Sequence, residues 1–131
     1  MLGDAFHKQS VWHDALVLVK RVYALADLLP ESEKSLLVAT LKKQAVTLPA
    51  KVAAAFSLAD DAAFTKAIDG VETCLQELDA MMASADALGF APKRAIRKVR
   101  KTCVAYATQI AQQRPDISIE QGGAPPLRLA A

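Results

Sequence analysis

A helix that is apolar over most of its surface needs more than one partner, and residues 11–29 make such a helix. On a wheel of 3.6 residues per turn, His13, Asp14, Lys20, Arg21, Ala24 and Asp27 gather in an arc of roughly 140°. The remaining ~220° carries Val11, Trp12, Ala15, Leu16, Leu18, Val19, Val22, Tyr23, Leu25, Ala26 and Leu29, with no charge among them. One side is expected to face its own bundle and the other a second copy of the chain. Trp12, Leu16, Val19 and Tyr23 are the candidate oligomer contacts.

A chain of 131 residues fits one domain, which buries about two thirds of the surface its unfolded form exposes. Apolar residues make up 53% and aromatics only 5%, and Ala, Leu and Val outnumber strand formers, so the class is all-α with close packing through small side chains. Sixteen basic and 14 acidic residues leave a formal charge of +2, which by itself argues for no polyanionic partner; any such case rests on local clustering. Cys74 and Cys103 form no C-x-x-C pair and fall on different predicted helices, so they read as buried thiols of a reducing, cytoplasmic setting rather than as a disulfide or metal site. No basic segment leads into an apolar run at the start, and Lys20 and Arg21 break the apolar stretch of helix 1; neither a signal peptide nor a membrane partner is expected.

Punctuation along the chain divides it into four helices, at about 8–29, 32–58, 61–88 and 92–113. Ser10 is a possible first cap, and Pro30 disfavours helical geometry at Leu29. Ser32 can cap helix 2, whose apolar positions are Leu37, Leu41, Leu48, Val52 and Ala55. Pro49 inside it predicts a kink, or else two helices meeting at Leu48. Asp60 or Asp61 caps helix 3, where Phe64, Ile68, Val71, Leu75, Leu78, Met82 and Ala85 form a coiled-coil-like seam. Gly89 supplies the left-handed position that ends it and Pro92 opens helix 4 at its first turn, the core stripe there being Ile96, Val99, Cys103, Tyr106 and Ile110. Short links predict an up-down-up-down antiparallel four-helix bundle over residues 1–114, and the polar, Gly- and Pro-rich remainder, 115–131, reads as a flexible tail.

Chemistry concentrates in one place. Lys93, Arg94, Arg97, Lys98, Arg100 and Lys101 are six cations within nine residues, filling an arc of roughly 160° opposite the Ile96 stripe. Such a face can hold phosphates, and Lys42 and Lys43, with Lys51 two turns on, would extend it if helix 2 lay alongside. Helix 3 offers the competing use: Asp60, Asp61, Asp69, Glu72, Glu77, Asp79 and Asp86, against Lys66 alone, match the charge of the basic segment and can pair with it. Tyr106 and Phe90 belong to the core stripe and a turn, so shape and charge, not base stacking, would govern recognition. Catalysis finds no support. His7 and His13 have no metal-ligand spacing, no Glu-x-x-His pair occurs, no Gly-rich phosphate loop precedes a helix, and no cofactor or metal is expected.

Trp12-x-x-Ala15, Tyr23, Leu29-Pro30-x-x-Glu33, Leu41-Lys42-Lys43-x-Ala45-x-Thr47-Leu48-Pro49 and Leu88-Gly89-Phe90 together give the chain a family likeness over roughly Phe6 to Gln113. It resembles the bacterial four-helix-bundle proteins encoded in intervening sequences of 23S ribosomal RNA genes, which are related to the accessory protein of diversity-generating retroelements. It departs from their usual Asn-Ile-Ala-Glu-Gly with Lys51-Val52-Ala53-Ala54-Ala55, and from their Gly-Ser on helix 3 with Thr73-Cys74. The resemblance implies a ring-like homopentamer and, from the retroelement relatives, binding to nucleic acid and to a reverse transcriptase.

The residues and the resemblance lead to one expectation: a non-enzymatic homo-oligomer that binds RNA or DNA backbones through Lys42, Lys43, Lys93, Arg94, Arg97, Lys98, Arg100 and Lys101. The alternative is an oligomeric scaffold whose charged faces serve subunit contacts and a protein partner. A third reading, an apolar ligand at a subunit junction, requires a cavity.

Overall fold

The computed structural model describes residues 2–115, with side chains from residue 8 onward. The expected tail from Asp116 onward, and the side chain of His7, lie outside the described residues. Four helices form, α1 (Leu2–Ala26), α2 (Ala39–Phe56), α3 (Asp61–Ala87) and α4 (Lys93–Ala111), and no strand occurs among the described residues. Each helix packs on the next in sequence and α4 closes back on α1, while α2 and α4 stand across a diagonal. No helix among the described residues is long and apolar enough to cross a membrane.

Helix ends differ from the sequence expectation where proline and serine compete for the same role. Helix 1 starts before Ser10, at Leu2, and its last α residue is Ala26 rather than Leu29. Pro30 forces the residues before it out of regular α geometry, so Leu28 and Leu29 donate one residue short of the α pattern, to Leu25 and Ala26 at 2.9 and 3.1 Å. Ser32 is not the cap of helix 2: no side chain caps the segment, and extended Pro30 (ψ 148°) initiates a tight turn over Glu31–Glu33. A π-helical turn, Lys34–Val38, follows before regular α2 begins. Because Pro30 has no N–H and a fixed φ, it suits the position where a helical turn starts.

Helix 2 runs unbroken through buried Pro49, so the two-helix alternative does not hold. Its neighbours Leu48 and Val52 are fully buried, and that packing outweighs one lost backbone bond. At the start of α3, the Asp60 carboxylate accepts a hydrogen bond from the Ala63 amide at 2.9 Å. At its end, Gly89 (φ +71°) takes the left-handed position. The Phe90 and Gly89 amides then donate to Ala85 and Asp86, the double closure that satisfies a helix's last carbonyls. Pro92 stands just before α4 rather than within its first turn.

The core joins the expected stripes of all four helices: Leu18 and Val22, Leu41 and Leu48, Leu75 and Leu78, Ile96 and Ile110 are all buried, with Phe64 packed at the margin. Antiparallel α1 and α4 are joined by polar contacts along their seam. The Tyr106 hydroxyl donates to the Val11 carbonyl at 2.8 Å, Gln109 to Asp14 at 3.0 Å, and Arg21 to the Thr102 hydroxyl at 2.8 Å.

Candidate nucleic-acid interface

The α4 stripe from Ile96 to Ile110 points inward, which turns the basic segment outward. Lys93, Arg94, Arg97, Lys98 and Lys101 are exposed. None of these five ammonium and guanidinium groups has a carboxylate partner among the described residues. Arg100 departs from the expectation. It sits toward α3, half-buried, and its Nε and Nη2 donate to the two Asp79 oxygens at 2.9 and 3.1 Å. That bidentate pair holds the Arg100 guanidinium above its usual pKa and sets it apart from the five unpaired cations.

The acidic residues of α3 are largely engaged elsewhere. Asp69 and Glu72 both accept from Arg114, whose side chain is mostly buried beyond the end of α4. Glu77 accepts from the Gln44 amide at 2.8 Å, and Asp60 caps its own helix. Among the described residues Asp79 is the carboxylate that forms an ion pair with the basic segment, while the Asp86 charge also acts on Arg100. Charge matching along the sequence suggested a zipper between helices 3 and 4, but a helix presents its side chains in several directions, so equal numbers do not imply facing groups.

Lys42 and Lys43 do not extend the α4 face, because α2 lies across the diagonal from α4. Lys42 turns toward α1, 3.4 Å from Asp27 and with its ammonium 5.1 Å from the centre of the Tyr23 ring. A cation so placed is already partly satisfied. Lys43 is exposed and without a partner among the described residues.

Instead, the neighbour of the α4 face is α1. Arg21 reaches across the seam to Thr102, one turn from Lys98, and adds a cation that the sequence reading assigned merely to a solvent arc. The antiparallel topology also sorts charge along the bundle. The half holding the α1–α2 and α3–α4 links carries eleven Lys and Arg against six acidic residues; among the other described residues from Lys8 onward the balance is four against five.

The expected oligomer contacts lie along the edge of α1 that faces α2. Trp12 is 41% exposed, while Leu16, Val19 and Tyr23 are half-buried. Val19 and Tyr23 lean on the core, so helix 1 is less openly two-sided than its wheel suggests. Exposed Val46, with Ala50 and Ala53 spaced along the same edge of α2, widens the apolar strip. Lys8, Gln9, Trp12, Ala53 and Phe56 line a shallow notch at its end.

Cys74, Cys103 and Tyr106 are buried. Burial pushes the Cys103 thiol up to about 12, with the Asp79 and Cys74 charges adding to it, and burial likewise raises Cys74. Thiols held neutral in this way are poor nucleophiles. The Tyr106 hydroxyl, also raised by burial, is spent on Val11. Neither a family model nor a curated protein matches the chain, so the reading of this interface stands on its own residues.

Proposed function

We propose that the chain is a non-enzymatic, self-associating four-helix bundle of the cytoplasm that binds nucleic-acid backbones through the exposed face of α4. The observation that carries this reading is the set of five exposed cations, Lys93, Arg94, Arg97, Lys98 and Lys101, that lack carboxylate partners among the described residues although α3 alongside is acidic. Cations on successive turns of a helix lie about 5–6 Å apart and offer a line of charge to a strand of phosphates. Lys43 contributes from the same end of the bundle, whereas Lys42 and Arg100 keep their intramolecular partners. The segment 93–101 itself contains no aromatic residue, so the backbone and not the bases is the recognised feature in this reading.

Labelled structured RNA and duplex DNA, titrated with protein across a salt series, test the reading. If all five cations engage phosphates, log K against log salt falls with a slope of about −4 to −5 on duplex DNA. An absence of binding at low salt overturns it. The Arg100–Asp79 pair would then be the better guide to the basic segment, favouring the second reading of an oligomeric scaffold for a protein partner.

Self-association is supported by the strip of Trp12, Leu16 and Val46, an apolar surface running across two helices. The family resemblance points to a ring of five. Trp12→Glu combined with Leu16→Glu is expected to reduce the sedimenting mass to the 14.0 kDa of one chain with helix content unchanged. A wild-type protein that sediments as a single chain at tens of micromolar overturns the assembly.

A further inference from the structure

Arg21 lies outside the basic segment of α4, yet its surroundings differ from those of an ordinary surface arginine. It is exposed and has no acidic partner among the described residues. Its one anchor is neutral: Nη1 donates to the Thr102 hydroxyl at 2.8 Å. That hydroxyl has a single proton, directed at the Lys98 carbonyl 3.3 Å away, so its lone pairs are left to accept from Arg21. The chain of contacts therefore has a fixed donor direction, running from Arg21 to Thr102 to the backbone beneath Lys98.

A neutral anchor holds the guanidinium without cancelling its charge. One of five N–H groups is used, and the others remain available in the planar fork that matches two oxygens of a phosphate. The nearby carboxylate on the same face of α1, Asp14, lies two turns away and is bonded to Gln109. Across the seam stand Lys98 and Lys101, one turn before Thr102 and directly beside it in sequence, both without carboxylate partners among the described residues.

We infer that Arg21, positioned by Thr102, is a phosphate-binding residue at the α1–α4 seam, and that it grips one phosphodiester group of a strand whose neighbouring phosphates lie on Lys98 and Lys101. The inference rests on the proposed nucleic-acid reading and deepens it. The recognised chemistry is a pair of non-bridging phosphate oxygens, and the fork makes Arg21 the one contact at this seam where lysine is an inadequate replacement.

Four variants of the full chain, Arg21→Gln, Arg21→Lys, Thr102→Val and Lys98→Glu, titrated with one labelled RNA hairpin across a salt series, test the assignment. Arg21→Gln is expected to weaken binding roughly tenfold and to flatten the salt slope by about 1, as loss of one phosphate contact requires. Arg21→Lys keeps the charge and so keeps most of the slope, but recovers only part of the affinity, because a point charge replaces the fork. Thr102→Val keeps every charge and loosens the anchor, so affinity falls about threefold at unchanged slope, the scale of one ordinary hydrogen bond. If Arg21→Gln binds like wild type while Lys98→Glu binds weakly, the seam assignment is overturned and the α4 interface stands. Full recovery by Arg21→Lys removes the fork from the account. If the wild-type protein itself fails to bind, the nucleic-acid reading and the seam assignment fall together. Circular dichroism melts of each variant, matched to wild type, separate these outcomes from misfolding.

Discussion

Arg97→Glu together with Lys101→Glu is expected to lower affinity for structured RNA by about 10²- to 10³-fold at 0.1 M salt. The two residues are one turn apart on the exposed face of α4, and neither has an intramolecular ion pair among the described residues. Reversal therefore removes two of the proposed phosphate contacts and adds two repulsions, a change of four charge units that is expected to flatten the salt slope by about 3 to 4. Thermal stability should hardly move, since solvated surface charges contribute within roughly half a kcal/mol. The matched reversal Arg100→Glu behaves differently. It places a carboxylate against Asp79 and acts on folding first, so a melt distinguishes it from the binding pair. A double variant that retains wild-type affinity assigns the binding elsewhere.

Leu78→Ala is expected to destabilise the bundle by about 2–5 kcal/mol, the range for emptying a fully buried leucine site. Leu78 is completely buried on the α3 seam, within the shared core of all four helices. The matching drop in Tm is about 10 °C or more for a domain of this size. Leu88→Ala, at a position 63% exposed, serves as the control and should shift the melt by little. Equal shifts in the two variants contradict the core placement. Chemical denaturation at fixed protein concentration is the cleaner measurement, because the proposed self-association would make the melting temperature depend on concentration.

Core positions were legible in the sequence because burial follows helical period. The α4 stripe and the buried part of the α3 seam carry five and six residues respectively, all found inside. The α3–α4 link was equally readable: Gly89 alone can take φ +71° without strain, and Pro92 cannot continue a preceding helix. The irregular start of α2 was not, since Ser32 and Pro30 are both credible initiators and only the packed geometry selects between them. Side-chain partners were the least readable. Arg100 and Arg97 share a sequence environment, yet a rotation of about 60° around the helix sends one to Asp79 and the other to solvent. Arg21 escaped notice for a related reason: its neighbour Thr102 is 81 residues away and carries no charge to suggest the contact.

The uneven placement of charge along the helices has a consequence for any cyclic assembly in which the bundles stand parallel to the rotation axis. Rotation cannot turn a subunit end over end, so every copy contributes its Lys- and Arg-rich half to the same rim. Such a ring is two-faced: one rim is cationic and the other close to neutral. A polyanion would meet it from one side only, leaving the opposite rim open to a different class of molecule. The object would act as an adaptor with a defined polarity, not as a bead that strands could wrap from either direction.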